Sequence, residues 1–244
     1  MAFQTYGASL KHHNTTKAYA PLGVVVQEKD VFYRYVYASA AIAAGELVIG
    51  KSSYTTITNI TGFKNDADET TGSGANYIED TAATLTVGLY VGAYLHLGTG
   101  TGVGQTKRIV RNTATRIYYE AIHVGLGETN AFGTDPDTTT DIVVIAPWHV
   151  LKGAASDKIQ TTMGSAPLAF TSGRYGWIAI SGMSSMKCGG SGVLDTVIVP
   201  GDDTAGQGTI AATTDDVGDC TPVGVAMFAG ADDTNWPVLL RGLW

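Results

Sequence analysis

The chain has few charged residues, only two cysteines and no long hydrophobic run. Acidic side chains (22) outnumber basic ones (15), charged residues make up 15% of the 244 positions, and the formal charge is −7. This balance disfavours a nucleic-acid partner, because binding to phosphates relies on lysine and arginine. Apolar stretches such as residues 141–147 are far shorter than the roughly 20 residues of a membrane-spanning helix. The sequence therefore predicts neither a nucleic-acid-binding protein nor a membrane protein.

The two cysteines, Cys188 and Cys220, are too few for a disulfide framework. They could pair if the fold brings them together, but we interpret them as free thiols. Residues 1–16 lack the basic start, apolar centre and small-residue cleavage site of a secretory signal, so no signal peptide is predicted.

The composition is that of a β-rich protein with many turns. The chain has 31 glycines, 7 prolines and 44% hydrophobic residues, and no sustained amphipathic helix pattern is present. The clearest strand covers residues 31–37, in which alternate tyrosines share one face: Tyr33, Tyr35 and Tyr37. A hairpin is predicted from residues 105–110 and 116–120. We expect an all-β fold of β-barrel or β-sandwich lobes with long loops.

Changes in composition predict three segments along the chain. Residues 1–20 are expected to form an extended N-terminal arm, residues 21–146 a β-rich lobe with exposed loops, and residues 147–244 a small C-terminal β-barrel lobe. Residues 38–44 are interpreted as a connection and residues 61–82 as a long exposed loop. The sequence leaves open whether the fold is one barrel with an inserted lobe or two sequential lobes.

Several segments resemble virion structural proteins of tailed bacteriophages, in particular capsid decoration (cement) proteins. Residues 35–48 read YVYASAAIAAGELV, and residues 92–114 contain the glycine-rich stretch GTGTGVGQTKRIVRNTA. Residues 175–180, 197–202 and 222–227 add a looser similarity to the ends of such chains. The resemblance implies a homo-oligomer that binds the outer surface of a phage head, and it carries no catalytic residues.

On this reading the partners are the major capsid protein and further copies of the chain, and the protein, made in the host cytoplasm, is located on the outer capsid surface. A trimer is expected by analogy with the threefold sites of capsid lattices. The candidate contact residues come from the arm and from a basic cluster: Phe3, Tyr6, His12, His13, Lys107, Arg108, Arg111 and Arg116. The cluster could equally be a solvated hairpin face. Deletion of residues 2–16 is expected to abolish particle binding while leaving a folded oligomer.

No constellation of residues predicts an enzyme or a cofactor. Residues 98–104 are rich in glycine, but they lack the spacing of a dinucleotide fingerprint and the lysine of a P-loop. Cys188 and His149 are too close in sequence for a two-barrel cysteine protease and lack the flanking glycine. The adjacent His12 and His13 point in opposite directions on an extended arm, so no metal site is predicted there.

Two acidic loops could offer oxygen ligands to Ca²⁺ but lack the spacing of an EF-hand, and we interpret them as solvated: Asp66, Asp68 and Glu69, and Asp202 and Asp203. The tryptophans are expected to fill cores or subunit interfaces: Trp148, Trp177, Trp236 and Trp244.

A host-recognition or carbohydrate-binding module of a head or tail fibre is the alternative function. It requires an exposed aromatic ring beside Asp and Asn, and residues 233–236 are the best local candidate. A tail-tube or minor structural role is a third possibility.

Overall fold

The computed structural model describes residues 12–51, 55–64, 76–119, 132–153, 162–190, 194–200, 204–211, 222–228 and 230–241. Over these residues the protein is all-β, with strands and turns and no α-helix. The all-β prediction is confirmed, and the strands form two sheets.

The strands follow one another in short segments, with one long exception near the C-terminus. The first ten are β1 (Val25–Glu28), β2 (Val31–Ala38), β3 (Leu47–Gly50), β4 (Thr55–Ile57), β5 (Gly62–Lys64), β6 (Tyr77–Glu79), β7 (Tyr94–Thr99), β8 (Thr106–Asn112), β9 (Arg116–Tyr119) and β10 (Asp141–Ile145). The others are β11 (His149–Lys152), β12 (Thr162–Ser165), β13 (Arg174–Gly189), β14 (Val197–Pro200), β15 (Gly208–Ile210), β16 (Gly224–Ala226) and β17 (Thr234–Leu240).

The chain divides into two compact units, and the second is inserted into the first. Unit 1 comprises Met1–Lys51 and Pro147–Trp244, and unit 2 comprises Ser52–Ala146. The expected boundary at residue 146 coincides with one junction. Residues 21–51, which the sequence groups with unit 2, lie instead in unit 1, because β2 pairs along its length with β13. Of the two arrangements that the sequence leaves open, the structure has the insertion.

Unit 1 contains a ten-stranded sheet that closes on itself twice. The first ring runs β2, β11, β3, β12 and β13, and returns to β2. The second ring runs β13, β15, β14, β16 and β17, and returns to β13. Each ring is therefore a small five-stranded barrel, and the 16-residue strand β13 belongs to both. Closure leaves these strands without the unpaired edges of an open sheet.

Strand β13 fills the interiors of both rings with alternate side chains. In its first half, Ile178 and Ile180 lie in the core of the first ring. In its second half, Met186 and Cys188 lie in the core of the second ring, where Trp236 is also buried. Outside the first ring, a further cluster forms around Tyr35 and Trp177, with Ala20 and Val26 packed against them.

The change from one ring to the other occurs at a glycine. After a bulge between Ala179 and Ser181 the pairing with β2 ends at Ser181, and Gly182 begins the pairing with β17. Gly182 has φ +90°, and a Cβ atom there would overlap the carbonyl oxygen of Asp30. Only glycine fits this combination of left-handed backbone and close approach of another strand.

Unit 2 is a seven-stranded antiparallel sheet in the order β4, β10, β7, β8, β9, β6, β5. Its inner side buries one cluster that includes Leu95, Ile117 and Ile142. The predicted hairpin is present as β8 and β9. The expected loop at residues 61–82 is wrong in part, since β5 and β6 lie within it and pair with each other. Both strands have only three residues, which is too short to show the alternating apolar pattern that reveals longer strands.

Replacement of Gly182 tests the junction of the two rings. We expect Gly182→Ala to lower the free energy of unfolding by more than about 3 kcal/mol, because the methyl group adds a clash with backbone to the cost of a left-handed conformation. Gly190→Ala is the matched control: Gly190 has φ +83° and open space around the position that a methyl group would take, so about 1–2 kcal/mol is expected. Urea unfolding followed by tryptophan fluorescence measures both. Equal losses of unfolding free energy in the two variants would contradict the claim that the close approach of Asp30 requires glycine at position 182.

Candidate functional site

The predicted basic cluster lies on β8 and β9, but its members do not form one surface. Lys107 faces the core of unit 2 beside Ile109, and its ammonium lies 5.8 Å from the centre of the Phe132 ring. Arg108 and Arg111 are exposed on the opposite side of the sheet. A bulge between Ile109 and Arg111 shifts the alternation, so that both arginines face outward. Lys107 therefore does not belong to the exposed cluster that the sequence predicts.

Tyrosines from neighbouring strands accompany the two arginines. We use the name arginine-tyrosine face for the side chains of Tyr77, Tyr94, Arg108, Arg111 and Tyr118. Tyr94 is the cross-strand partner of Arg108, and Tyr118 is the partner of both Arg111 and Tyr77. The guanidinium carbon of Arg111 lies 3.9 Å from the centre of the Tyr118 ring, within the range of a cation–π interaction. The face thus combines positive charge with aromatic surface.

Arg116 borders this face and is held by an ion pair. Its Nε donates to Oε1 of Glu79 at 2.8 Å, and its Nη2 donates to Oε2 of the same carboxylate at 3.1 Å. Its guanidinium carbon also lies 4.6 Å from the centre of the Tyr77 ring. The hydrogen bonds to Glu79 raise the pKa of Arg116 further above its usual value. Arg116 therefore ties β9 to β6 within the sheet of unit 2, and its guanidinium group holds the Tyr77 ring in place.

Part of the predicted arm is docked on unit 1. The Trp177 amide donates to Nδ1 of His13 at 3.3 Å, and Nε2 of His13 donates to the Ala169 carbonyl at 3.1 Å. The His13 ring packs against Phe170, with 4.2 Å between ring centres. Thr15 forms an antiparallel bridge with Tyr175. His13 is therefore a structural residue of unit 1.

The other arm candidates differ in position. His12 stacks on Tyr19 with 3.6 Å between ring centres. Phe3 and Tyr6 lie outside the described residues. The Tyr19 amide also donates to the Tyr35 hydroxyl at 2.9 Å. Deletion of residues 2–16 would remove the contacts of His13 with Ala169, Phe170 and Trp177, so we expect this deletion to weaken unit 1 as well.

The structure does not assemble the cysteine-protease pair that the sequence raised and disfavoured. Cys188 is buried in the second ring as a free thiol, and its Sγ lies 3.6 Å from the Met186 carbonyl. Burial raises the pKa of this thiol to about 12, which opposes formation of the reactive thiolate. His149 lies on β11 in the first ring and packs against Tyr37. Cys220 lies outside the described residues.

The glycine-rich stretch between β7 and β8 is a tight turn. Gly100, Gly102 and Gly104 have positive φ, and β8 follows directly where a phosphate-binding loop would start a helix. The turn is tied to a neighbouring segment, since the Thr101 hydroxyl donates to Asp137 at 2.7 Å. The hydrogen bond from the Thr139 hydroxyl, together with those from Thr101 and the Thr139 amide, lowers the pKa of the Asp137 carboxyl.

Neither acidic loop can be placed, because residues 66–69 and 202–203 lie outside the described residues. Within the part of the chain that the structure describes, no group of three or more His, Cys, Asp or Glu side chains is arranged to hold a metal ion. In the same residues, no helix has the length and apolar character needed to cross a membrane.

The candidate sugar site at residues 233–236 lacks its aromatic platform. Trp236 is 1% exposed, and its indole nitrogen donates to the Ala231 carbonyl at 2.9 Å. Asp233 is engaged by Lys187, whose ammonium lies 2.8 Å away, and by the Gln207 amide. Trp177 is fully buried, as expected of a core residue. Trp244 lies outside the described residues.

Sequence reasoning missed the tyrosines of the arginine-tyrosine face. Tyr118 alternates with the buried Ile117 and Tyr119, which is a visible signal that it points outward. Tyr77 gives no comparable signal, because its position beside Tyr118 depends on the register of β6 against β9. Comparisons with protein-family models, with curated proteins and with solved structures find no match to this chain.

The docking of His13 generates a prediction about pH. Burial lowers the pKa of His13 below 6.5, and its backbone hydrogen bond to Ala169 only partly opposes this. As the pH falls, the imidazole of His13 is therefore protonated in the unfolded chain before it is protonated in the folded one. The contribution of His13 to the free energy of unfolding is fully present above about pH 6.5 and decreases as the pH drops through that value. We expect His13→Gln to reduce the difference in free energy of unfolding between pH 7.5 and pH 5, measured by urea titration.

His12→Gln is the control for this measurement, since the His12 ring stacks on Tyr19 and not between backbone groups. It should keep the wild-type pH dependence. An unchanged pH dependence in His13→Gln would show that other groups cause the acid sensitivity.

Proposed function

We propose that this protein is a capsid decoration protein that binds the outer surface of a phage head and adds contacts between major capsid subunits. The observation that carries the proposal is the arginine-tyrosine face of unit 2. Arginine and tyrosine are enriched at protein interfaces, where they combine contact area with directed polar contacts. On an acidic chain, such a face favours a partner surface that carries carboxylates.

The geometry of the face favours a protein partner over a sugar. A sugar-binding platform presents open aromatic rings on which the ligand lies. Here Arg111 covers Tyr118 and Arg116 lies over Tyr77, and the two rings are tilted by 54° to each other. The guanidinium groups occupy these ring surfaces, and that of Arg111 keeps its donors available for carboxylates, whereas that of Arg116 is bound to Glu79. This arrangement is the reason for ranking the carbohydrate-binding alternative second.

The resemblance to decoration proteins adds support from two places in the fold. Residues 35–48 run from β2 to the start of β3 in unit 1, and residues 92–114 form β7, β8 and their connecting turn in unit 2. The second segment carries Tyr94, Arg108 and Arg111 of the arginine-tyrosine face. Under the proposal, the mechanism is mechanical, since many weak contacts repeated by symmetry sum to a stable shell.

Charge reversal tests the proposed capsid contact. The double variant Arg108→Glu/Arg111→Glu should reduce the occupancy of purified phage particles that lack the protein by about tenfold or more, because it replaces attraction with repulsion. Bound protein is measured by co-sedimentation and counted on particle images. The fold should be unaffected, since both side chains are exposed.

Lys29→Glu/Lys152→Glu is the matched control, with the same change of charge at two exposed positions of unit 1. It should bind particles like the wild type. An equal loss of particle binding in both double variants would show that only the net charge matters. Undiminished binding of Arg108→Glu/Arg111→Glu would refute the arginine-tyrosine face as the contact.

A further inference from the structure

Arg34 is the only arginine among the described residues that is buried, and it lies on the inner side of the first ring. The residue is 7% exposed. Phe32 and Val36, two positions before and after it on β2, pack in the core of this ring, and its cross-strand partners Val25 and Ile178 contact the same core. Because side chains alternate along a strand, the Arg34 side chain points inward with them.

No carboxylate of the described residues balances this buried charge. The Nε of Arg34 is shielded from solvent and has no hydrogen-bond partner, and Arg34 forms no ion pair with any residue that the structure describes. Burial lowers the pKa of the guanidinium group, but arginine remains charged at neutral pH. Buried arginines are normally paired, because an isolated charge loses its hydration without replacement. The environment of Arg34 therefore favours a bound anion.

Trp148 provides an aromatic surface beside the guanidinium group. Its ring packs against the core of the first ring, and the guanidinium carbon of Arg34 lies 4.9 Å from the centre of the indole. The indole also lies directly against Gly23, where a Cβ atom would overlap it, so the backbone fixes its position. A guanidinium group stacked on an aromatic ring keeps N–H donors at its edge, and they form a fork that matches the two oxygens of a carboxylate.

The single positive charge of Arg34 favours a carboxylate over a phosphate. One guanidinium group balances one negative charge, so a carboxylate leaves the buried pair neutral, whereas a phosphate dianion would leave an unbalanced charge in apolar surroundings. The neighbouring side chains on β1, β2 and β13 are Val25, Phe32 and Ile178, which suit a short hydrocarbon chain attached to the carboxylate. Because Arg34 is almost fully buried, the ligand must be a small molecule or a single side chain.

We propose that Arg34 and Trp148 form a binding site for one carboxylate group on the inner side of the first ring. Arg34 supplies the charge and two parallel hydrogen bonds, and Trp148 holds the plane of the guanidinium group. The carboxylate belongs either to a small molecule in solution or to an aspartate or glutamate side chain of a capsid subunit. The site lies in unit 1, whereas the arginine-tyrosine face lies in unit 2, so the site can fail or succeed independently of the proposed function.

Titration of the full-length wild-type protein with sodium acetate tests the site directly. Nitrogen-15 NMR at about pH 7 follows the Nε–H signal of Arg34 and the indole N–H signal of Trp148, while sodium chloride is exchanged for acetate at constant ionic strength. Both signals should shift along one saturating curve, with a dissociation constant in the millimolar range. Signals that do not shift, or that shift in proportion to acetate without saturating, would overturn the inference.

Two variants link acetate binding to the guanidinium group. Acetate at about ten times its dissociation constant should raise the folding equilibrium constant of the wild type about elevenfold over the same concentration of chloride, measured by urea unfolding. Arg34→Met keeps the length of the side chain without its charge and should lose this gain. Arg241→Met is the matched control, since Arg241 is exposed, and it should keep the gain. An equal gain in Arg34→Met and in the wild type would overturn the site.

Particle binding distinguishes the two sources of the carboxylate. If a capsid subunit supplies it, Arg34→Met should lower the occupancy of phage particles about tenfold, and acetate should lower the occupancy of the wild type by competition. If a small molecule supplies it, the occupancy should equal that of the wild type in chloride in both measurements.

Discussion

The pairing of β13 with both of its neighbours, β2 and β17, is the constraint on which unit 1 depends. Seven residues of β17 and most of β2 pair with successive halves of this one strand. Each ring closes only because β13 supplies its last strand, so neither small core is complete without it. Gly182 permits the change of partner, because any side chain there would meet the backbone of Asp30.

Closure also determines which surfaces remain for partners. In a closed ring one side of every strand is buried and the ring strands have no free backbone edge, so a partner must contact their outward side chains. The sheet of unit 2 is different, since among the described strands it ends at β4 and β5. Its outward side carries the arginine-tyrosine face, which presents guanidinium groups beside aromatic rings and suits a carboxylate-bearing protein surface.

Strand content and several individual strands could be predicted from the sequence, because alternation is a local property. The tyrosines of β2 and the hairpin of β8 and β9 are examples. The pairing of β2 with β13 joins residues more than a hundred positions apart and leaves no local signal, and so the unit boundary near residue 51 was missed. Lys107 and Arg108 are adjacent strand residues and so point to opposite sides of the sheet, which the sequence could have shown, whereas the bulge that brings Arg111 to the side of Arg108 leaves no local signal.

The central claim is that the two rings form one cooperative unit because they share β13. Native-state amide hydrogen exchange along this strand tests it directly, since it reports the free energy of opening residue by residue. The account predicts equal opening free energies for the amides of Trp177–Ile180 in the first ring and of Ser184–Cys188 in the second. Exchange of one segment at a much lower free energy, with the other still protected, would show that the rings open independently and would contradict the claim.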